Sequence, residues 1–112
     1  MADAAGHKLK VVLALKWLRG SVYGAKVSVT VPDSCYVEGD LKVGLPPGMV
    51  GVPEIEYLTF DFTHKSGPCS DIVRTLEKSI ETTISTEKRN VTAFAVVAGK
   101  VAGEDTKPVP RK

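Results

Sequence analysis

From Ala25 to Val31 the chain reads AKVSVTV, with Ala25, Val27, Val29 and Val31 alternating against Lys26, Ser28 and Thr30. A period of two sends successive side chains to opposite faces of a strand, and β-branched residues suit a half-buried pleated surface. This is the most secure strand in the chain. Leu9, Val11, Leu13, Leu15 and Trp17 repeat the pattern against Lys8, Lys10 and Lys16, and Gly20, Ser21 and Gly24 between the two runs supply turn residues for a hairpin.

Further along, EIEYLTFDF sets Leu58, Phe60 and Phe62 on one face and Tyr57, Thr59 and Asp61 on the other. NVTAFAVV carries apolar residues on both parities, the mark of a strand buried on both faces. From Pro32 to Pro53 the chain is broken by Gly39, Gly44, Pro46, Pro47, Gly48 and Gly51, so only short edge pieces such as Tyr36–Val37 and Leu41–Val43 are expected there. Residues 70–84 are ambiguous. Ile72, Leu76, Ile80 and Ile84 recur at a spacing that fits either a helix stripe or one face of a strand, Ser70 and Asp71 resemble an N-cap, and the threonines favour extended structure.

Strands at 8–16, 25–31, 41–44, 55–63, 71–80 and 90–98 predict a mainly β protein, an immunoglobulin-like antiparallel β-sandwich of about six strands. If 70–84 were helical, the chain would instead be an α+β sandwich with one helix. A length of 112 residues suits one core. Residues 8–103 are assigned to that single domain, flanked by a flexible N-terminus at 1–7 and a flexible, basic, proline-containing tail at 104–112.

Charge is unevenly placed. Residues 1–32 carry Lys8, Lys10, Lys16, Arg19 and Lys26 against Asp3, whereas residues 33–61 carry Asp33, Glu38, Asp40, Glu54, Glu56 and Asp61 against Lys42. In a small β protein this predicts oppositely charged strands side by side. The basic stretch has few aromatics for base stacking and no nucleic-acid motif, so no nucleic-acid partner is expected. The longest uncharged apolar run, Val11–Leu15, is far short of the roughly 20 residues that cross a bilayer as a helix, so no membrane partner is expected either. MADAAGHKLK has no signal-peptide pattern, and a cytoplasmic protein and a mature periplasmic or secreted form both fit.

Two cysteines and two histidines are the reactive side chains. A catalytic thiol at Cys69 would use His64 as base, oriented by Asp61 or Asp71, yet no family-type signature surrounds it. A zinc site would draw on Cys35, Cys69, His64 and His7, which lack the paired spacing that lets one turn present two ligands. The acidic set lacks a calcium-loop arrangement. Accordingly no catalytic residue, metal ligand or cofactor is assigned, and Cys35 and Cys69 are read as a disulfide closing a loop of about 35 residues, with two reduced packing thiols as the alternative in a reducing compartment. Asn90-Val91-Thr92 matches a glycosylation triplet that arises readily by chance.

LPPGMVGVP, Leu45–Pro53, is apolar and held at the surface by its prolines. Met49 and Val50 in this loop, with Glu38, Asp40, Glu54 and Glu56 around it, are the candidate contacts to a partner protein. The expected function is a non-enzymatic binding or assembly module. The alternative is a small thiol- or metal-dependent site built from Cys35, His64 and Cys69.

Overall fold

The computed structural model describes residues 8–110. Its strands are β1 (Lys10–Arg19), β2 (Val22–Val31), β3 (Tyr36–Val43), β4 (Ile55–His64), β5 (Arg74–Thr83), β6 (Asn90–Val97) and β7 (Lys100–Pro108). They form two packed sheets, ordered β1-β2-β5 and β3-β4-β6-β7. Among the described residues no helix is long and apolar enough to cross a membrane. The chain is thus a mainly β sandwich, as its alternation requires.

Each parity read from the sequence buries the expected face. Val27, Val29 and Val31 of β2 meet Leu58 and Phe60 of β4 and Val91, Ala93, Ala95 and Val97 of β6 in one core, with Leu13, Phe62 and Ile84. On the opposite parity of β6, Phe94 and Val96 are also buried, Phe94 stacking on Tyr57 of β4 with ring centroids 6.1 Å apart. Trp17 packs against the edge of the core and its indole N–H donates to the Gly20 carbonyl.

Of the two readings of residues 70–84 the strand is the one found, Arg74–Thr83 pairing with β2. Thr75, Glu77, Ser79 and Glu81 face out while Leu76 and Ile80 face in, and Arg74 takes the inward place that the apolar repeat gave to Ile72, which is exposed before the strand begins. Strand β3 is longer than the pieces foreseen, because a bulge at Gly39 and Asp40 lets one strand run from Tyr36 to Val43. Residues 104–108 belong to β7 and not to a frayed tail. This strand follows a tight turn in which Ala98 and Gly99 both have positive φ, 51° and 82°. Gly103 lies where a Cβ would overlap the Leu9 carbonyl oxygen, so β7 comes close against the start of β1, and the Leu9 amide donates to the Ala102 carbonyl.

Four of the five strand pairings are antiparallel, and β4 with β6 is parallel. Between those two the chain leaves for the other sheet as β5 and returns, a crossover long enough to bring β6 back in the same direction. This topology also undoes the expected pairing of charged strands. Basic β1 and β2 lie in a different sheet from acidic β3 and β4, and their ion pairs run to β5, Lys26 to Glu77 and Arg19 to Glu81, each at 3.5 Å. The segments at 1–7 and 111–112, with His7 among them, lie outside the described residues.

Candidate functional site

Two opposite ends of the four-stranded sheet carry chemistry. At one end, residues 32–35 cross from β2 to β3 and residues 65–73 lead from β4 toward β5. Backbone and side-chain hydrogen bonds tie these connections together: Ser34 N–H donates to the Ser70 carbonyl (3.0 Å), Ser70 N–H to Ser34 Oγ (2.8 Å) and Lys65 N–H to the Cys35 carbonyl (2.9 Å). The result brings Cys35 and Cys69 together as a disulfide with Cα atoms 5.4 Å apart. Cys35 is buried, whereas Cys69 is part-exposed in the surface turn.

His64 closes β4 directly opposite Tyr36, and their rings meet edge to face at 4.6 Å. Its Nε2 lies 3.5 Å from Asp33 Oδ1. The same carboxylate oxygen accepts the Cys35 amide at 2.9 Å, a local turn in which an aspartate bonds the backbone two residues on and so fixes its own direction. Burial, and then the negative charge of Asp33, push the Tyr36 phenol above its ordinary pKa, so it stays neutral. Arg74 donates to the carbonyl oxygens of Asp33 (3.3 Å) and Tyr36 (2.8 Å), holding both sides of Cys35.

The disulfide reading of Cys35 and Cys69 therefore has its geometry, and His64 stands beside it. The acidic partner of His64 is Asp33 and neither Asp61 nor Asp71. Asp61 points from the outer face of β4 to Lys42 at 3.2 Å, and Asp71 has no place among the clustered donor atoms. Asp33 entered the sequence reading only as one of the acidic residues, and the pairing of its connection with the chain at Ser70 is what sets it against His64.

At the other end is the 44–53 loop. Pro46, Pro47, Gly48 and Met49 form a turn closed by Met49 N–H donating to the Pro46 carbonyl, with Gly48 at φ 83°. Proline at the second place and positive φ at the third are the type II pattern. Tyr57 anchors both arms of the loop: its carbonyl accepts Gly44 N–H (2.8 Å) and its hydroxyl oxygen accepts Val52 N–H (3.0 Å). Thr59 Oγ1 donates to the Gly44 carbonyl at 2.8 Å, and Gly51 passes so near the Tyr57 ring that a Cβ there would overlap it.

The loop has two halves. Pro46 is buried and Leu45 part-buried, whereas Met49, Val50 and Val52 face outward, Val50 at 95% exposure. Glu54 is exposed at its base, and Glu56 is turned toward Lys88 at 3.9 Å beside the groove that the loop forms with Tyr57. Glu38 and Asp40 are exposed on β3, Glu38 opposite Phe62 near the disulfide end. The structure thus gathers Met49, Val50, Glu54 and Glu56 at one end and leaves Glu38 and Asp40 along the strand away from them. No family model matches this sequence, and neither the curated proteins nor the solved structures yield a match.

Proposed function

We propose that the chain is a non-enzymatic binding module that docks a partner protein with the tip of the 44–53 loop. One observation carries this: Val50 is 95% exposed at the end of a loop whose base is fastened by four hydrogen bonds to Tyr57 and Thr59 and within its own turn. An apolar side chain held out in water has no role in the stability of its own fold, while its pre-ordered backbone lowers the entropy cost of docking. The partner offers an apolar pocket for Val50 and Met49 with a basic group beside it for Glu54. An immunoglobulin-like kinship is part of the proposal: β1, β2 and β5 share one sheet and β3, β6 and β7 the other, as in that fold, and β4 between β3 and β6 is the departure.

The experiment compares wild type, Val50→Asp and a control, Val12→Asp, on the outer face of the three-stranded sheet. A partner retained by wild type and by the control is purified and its affinity measured for all three. Burying one valine stabilises by about 1.5–3 kcal/mol, so Val50→Asp must weaken the complex by at least about tenfold. Equal affinity for Val50→Asp and wild type would remove the tip from the interface and the proposal with it.

A second reading, a thiol- or metal-dependent site at Cys35, His64 and Cys69, is favoured by the convergence of these side chains with Asp33.

A further inference from the structure

Asp33, Cys35, His64 and Cys69 each offer a donor atom, and these atoms all lie within 4.8 Å of one another. Zinc binds thiolate at about 2.3 Å and imidazole or carboxylate at about 2.0–2.2 Å, so a tetrahedral site sets its donors roughly 3.3–3.8 Å apart. The pair not constrained by a covalent bond, His64 Nε2 and Asp33 Oδ1, already sits at 3.5 Å. Once the sulfurs are unbonded they need only separate to about 3.8 Å, which rotation about their Cα–Cβ bonds supplies. The carboxylate is fixed by the Cys35 amide, and the hydrogen bonds between 34 and 70 and between 35 and 65 keep both connections in place without the cross-link.

Charge also balances. Two thiolates and a carboxylate around a neutral imidazole carry three negative charges, and a divalent cation leaves one. The Arg74 guanidinium, bonded to the carbonyls on either side of Cys35, supplies the matching positive charge. A wholly protein-coordinated site with two sulfur donors and one imidazole suits zinc in preference to magnesium or calcium.

We propose that Asp33, Cys35, His64 and Cys69 hold one zinc ion when the two cysteines are reduced, so that disulfide and metal are alternative staples for the same end of the sandwich. A small dithiol opens the disulfide. One of its thiolates attacks the part-exposed Cys69 sulfur, Cys35 leaves as thiolate, and the second dithiol sulfur resolves the mixed disulfide. Two electrons and two protons pass to the protein, and the dithiol departs as a cyclic disulfide. The freed thiols lie beside the Pro68 and Gly67 carbonyl oxygens, 3.7 and 3.4 Å from the sulfurs, which accept their S–H groups until zinc enters. Zinc then replaces both thiol protons, which pass to solvent.

The test titrates zinc, in competition with a chromophoric indicator, into the full chain reduced by a dithiol and desalted without air, beside the oxidised chain and reduced His64→Ala and Asp33→Asn. Cobalt replaces zinc in a parallel series. Reduced wild type is expected to take one zinc per chain, the oxidised chain none, and each variant to bind at least about tenfold more weakly. Cobalt should give the intense visible bands of a tetrahedral site together with thiolate charge transfer. Circular dichroism follows folding throughout, and a reduced chain that unfolds and is restored by one equivalent of zinc supports the proposal equally. Absence of stoichiometric zinc in the reduced chain, folded or unfolded, overturns it. So does undiminished affinity in both variants, since the thiols alone would then be the ligands. Neither result touches the 44–53 loop.

Discussion

Replacing Cys35 and Cys69 together by alanine removes the covalent link between the β2–β3 crossing and the turn after β4. A loop of about 35 residues closed in the unfolded chain lowers its entropy by an amount worth about 4 kcal/mol at room temperature on the chain-entropy account. Loss of the buried Cys35 sulfur adds of order 1 kcal/mol through the space it leaves. Little is restored by the folded state, because the bonds from Ser34 to Ser70 and from Lys65 to Cys35 already hold the ends there. A loss of about 4–5 kcal/mol is large against the roughly 5–15 kcal/mol of a domain this size. In urea the unfolding midpoint should fall by roughly 2 M, given slopes of about 1–3 kcal/mol/M. A loss below about 2 kcal/mol would refute the reasoning, either because the unfolded chain keeps these segments together or because the sulfurs are not bonded in the native protein. Alkylation of the unreduced wild type, read by intact mass, separates those two causes.

Phe60 is fully buried between the sheets with Phe62 4.5 Å away, so Phe60→Ala should cost about 3–5 kcal/mol in chemical denaturation; below about 1 would mean the β4 parity is wrong. Glu54→Lys should leave the thermal midpoint unchanged, whereas Glu56→Lys places a cation against part-buried Lys88 and should lower it by several degrees in a calorimetric scan. Asp105 bridges the sandwich by accepting the Leu13 amide (2.8 Å) and the Lys107 ammonium. Burial raises its pKa, but the Lys107 hydrogen bond, the Leu13 amide and the Lys107 charge outweigh this and leave it below the ordinary carboxylate value. A depressed folded-state pKa contributes stability above the unfolded value of about 4 that is lost as pH falls through the folded one. Asp105→Asn should therefore flatten the loss of stability below about pH 4, and an unchanged acid limb would contradict the bridge.

The sheets were legible where apolar and polar residues alternate, as at Val27–Val31 and Leu58–Phe62, because a strand with one face in the core leaves period two in the sequence itself, although Thr59 on the other parity of β4 is buried as well. Strand β7 was hidden. Its turn places Ala98, not asparagine or glycine, at positive φ, and its outward residues Glu104, Thr106 and Pro108 read as a tail. Residue Lys78 alternates into the sandwich on edge strand β5 and blurs the strand signal there, a placement that also discourages pairing with another chain. The parallel union of β4 with β6 has no local signature at all.

At the candidate sites, chain proximity was readable and spatial convergence was not. The surface loop at Leu45–Pro53 with Met49 and Val50, and the closeness of His64 to Cys69, follow from the local sequence. The meeting of Asp33 with His64 depends on how β2 hands the chain to β3 against the end of β4, which spacing alone does not encode.

The most direct measurement is hydrogen–deuterium exchange of the chain alone and bound to the partner captured on the wild-type chain. Docking by the tip predicts added protection at the amides of Gly48, Met49, Val50 and Gly51, with the disulfide end unchanged. Protection instead at Ile72 and Val73 beside Cys69, with the loop tip exchanging as in the free protein, would contradict it.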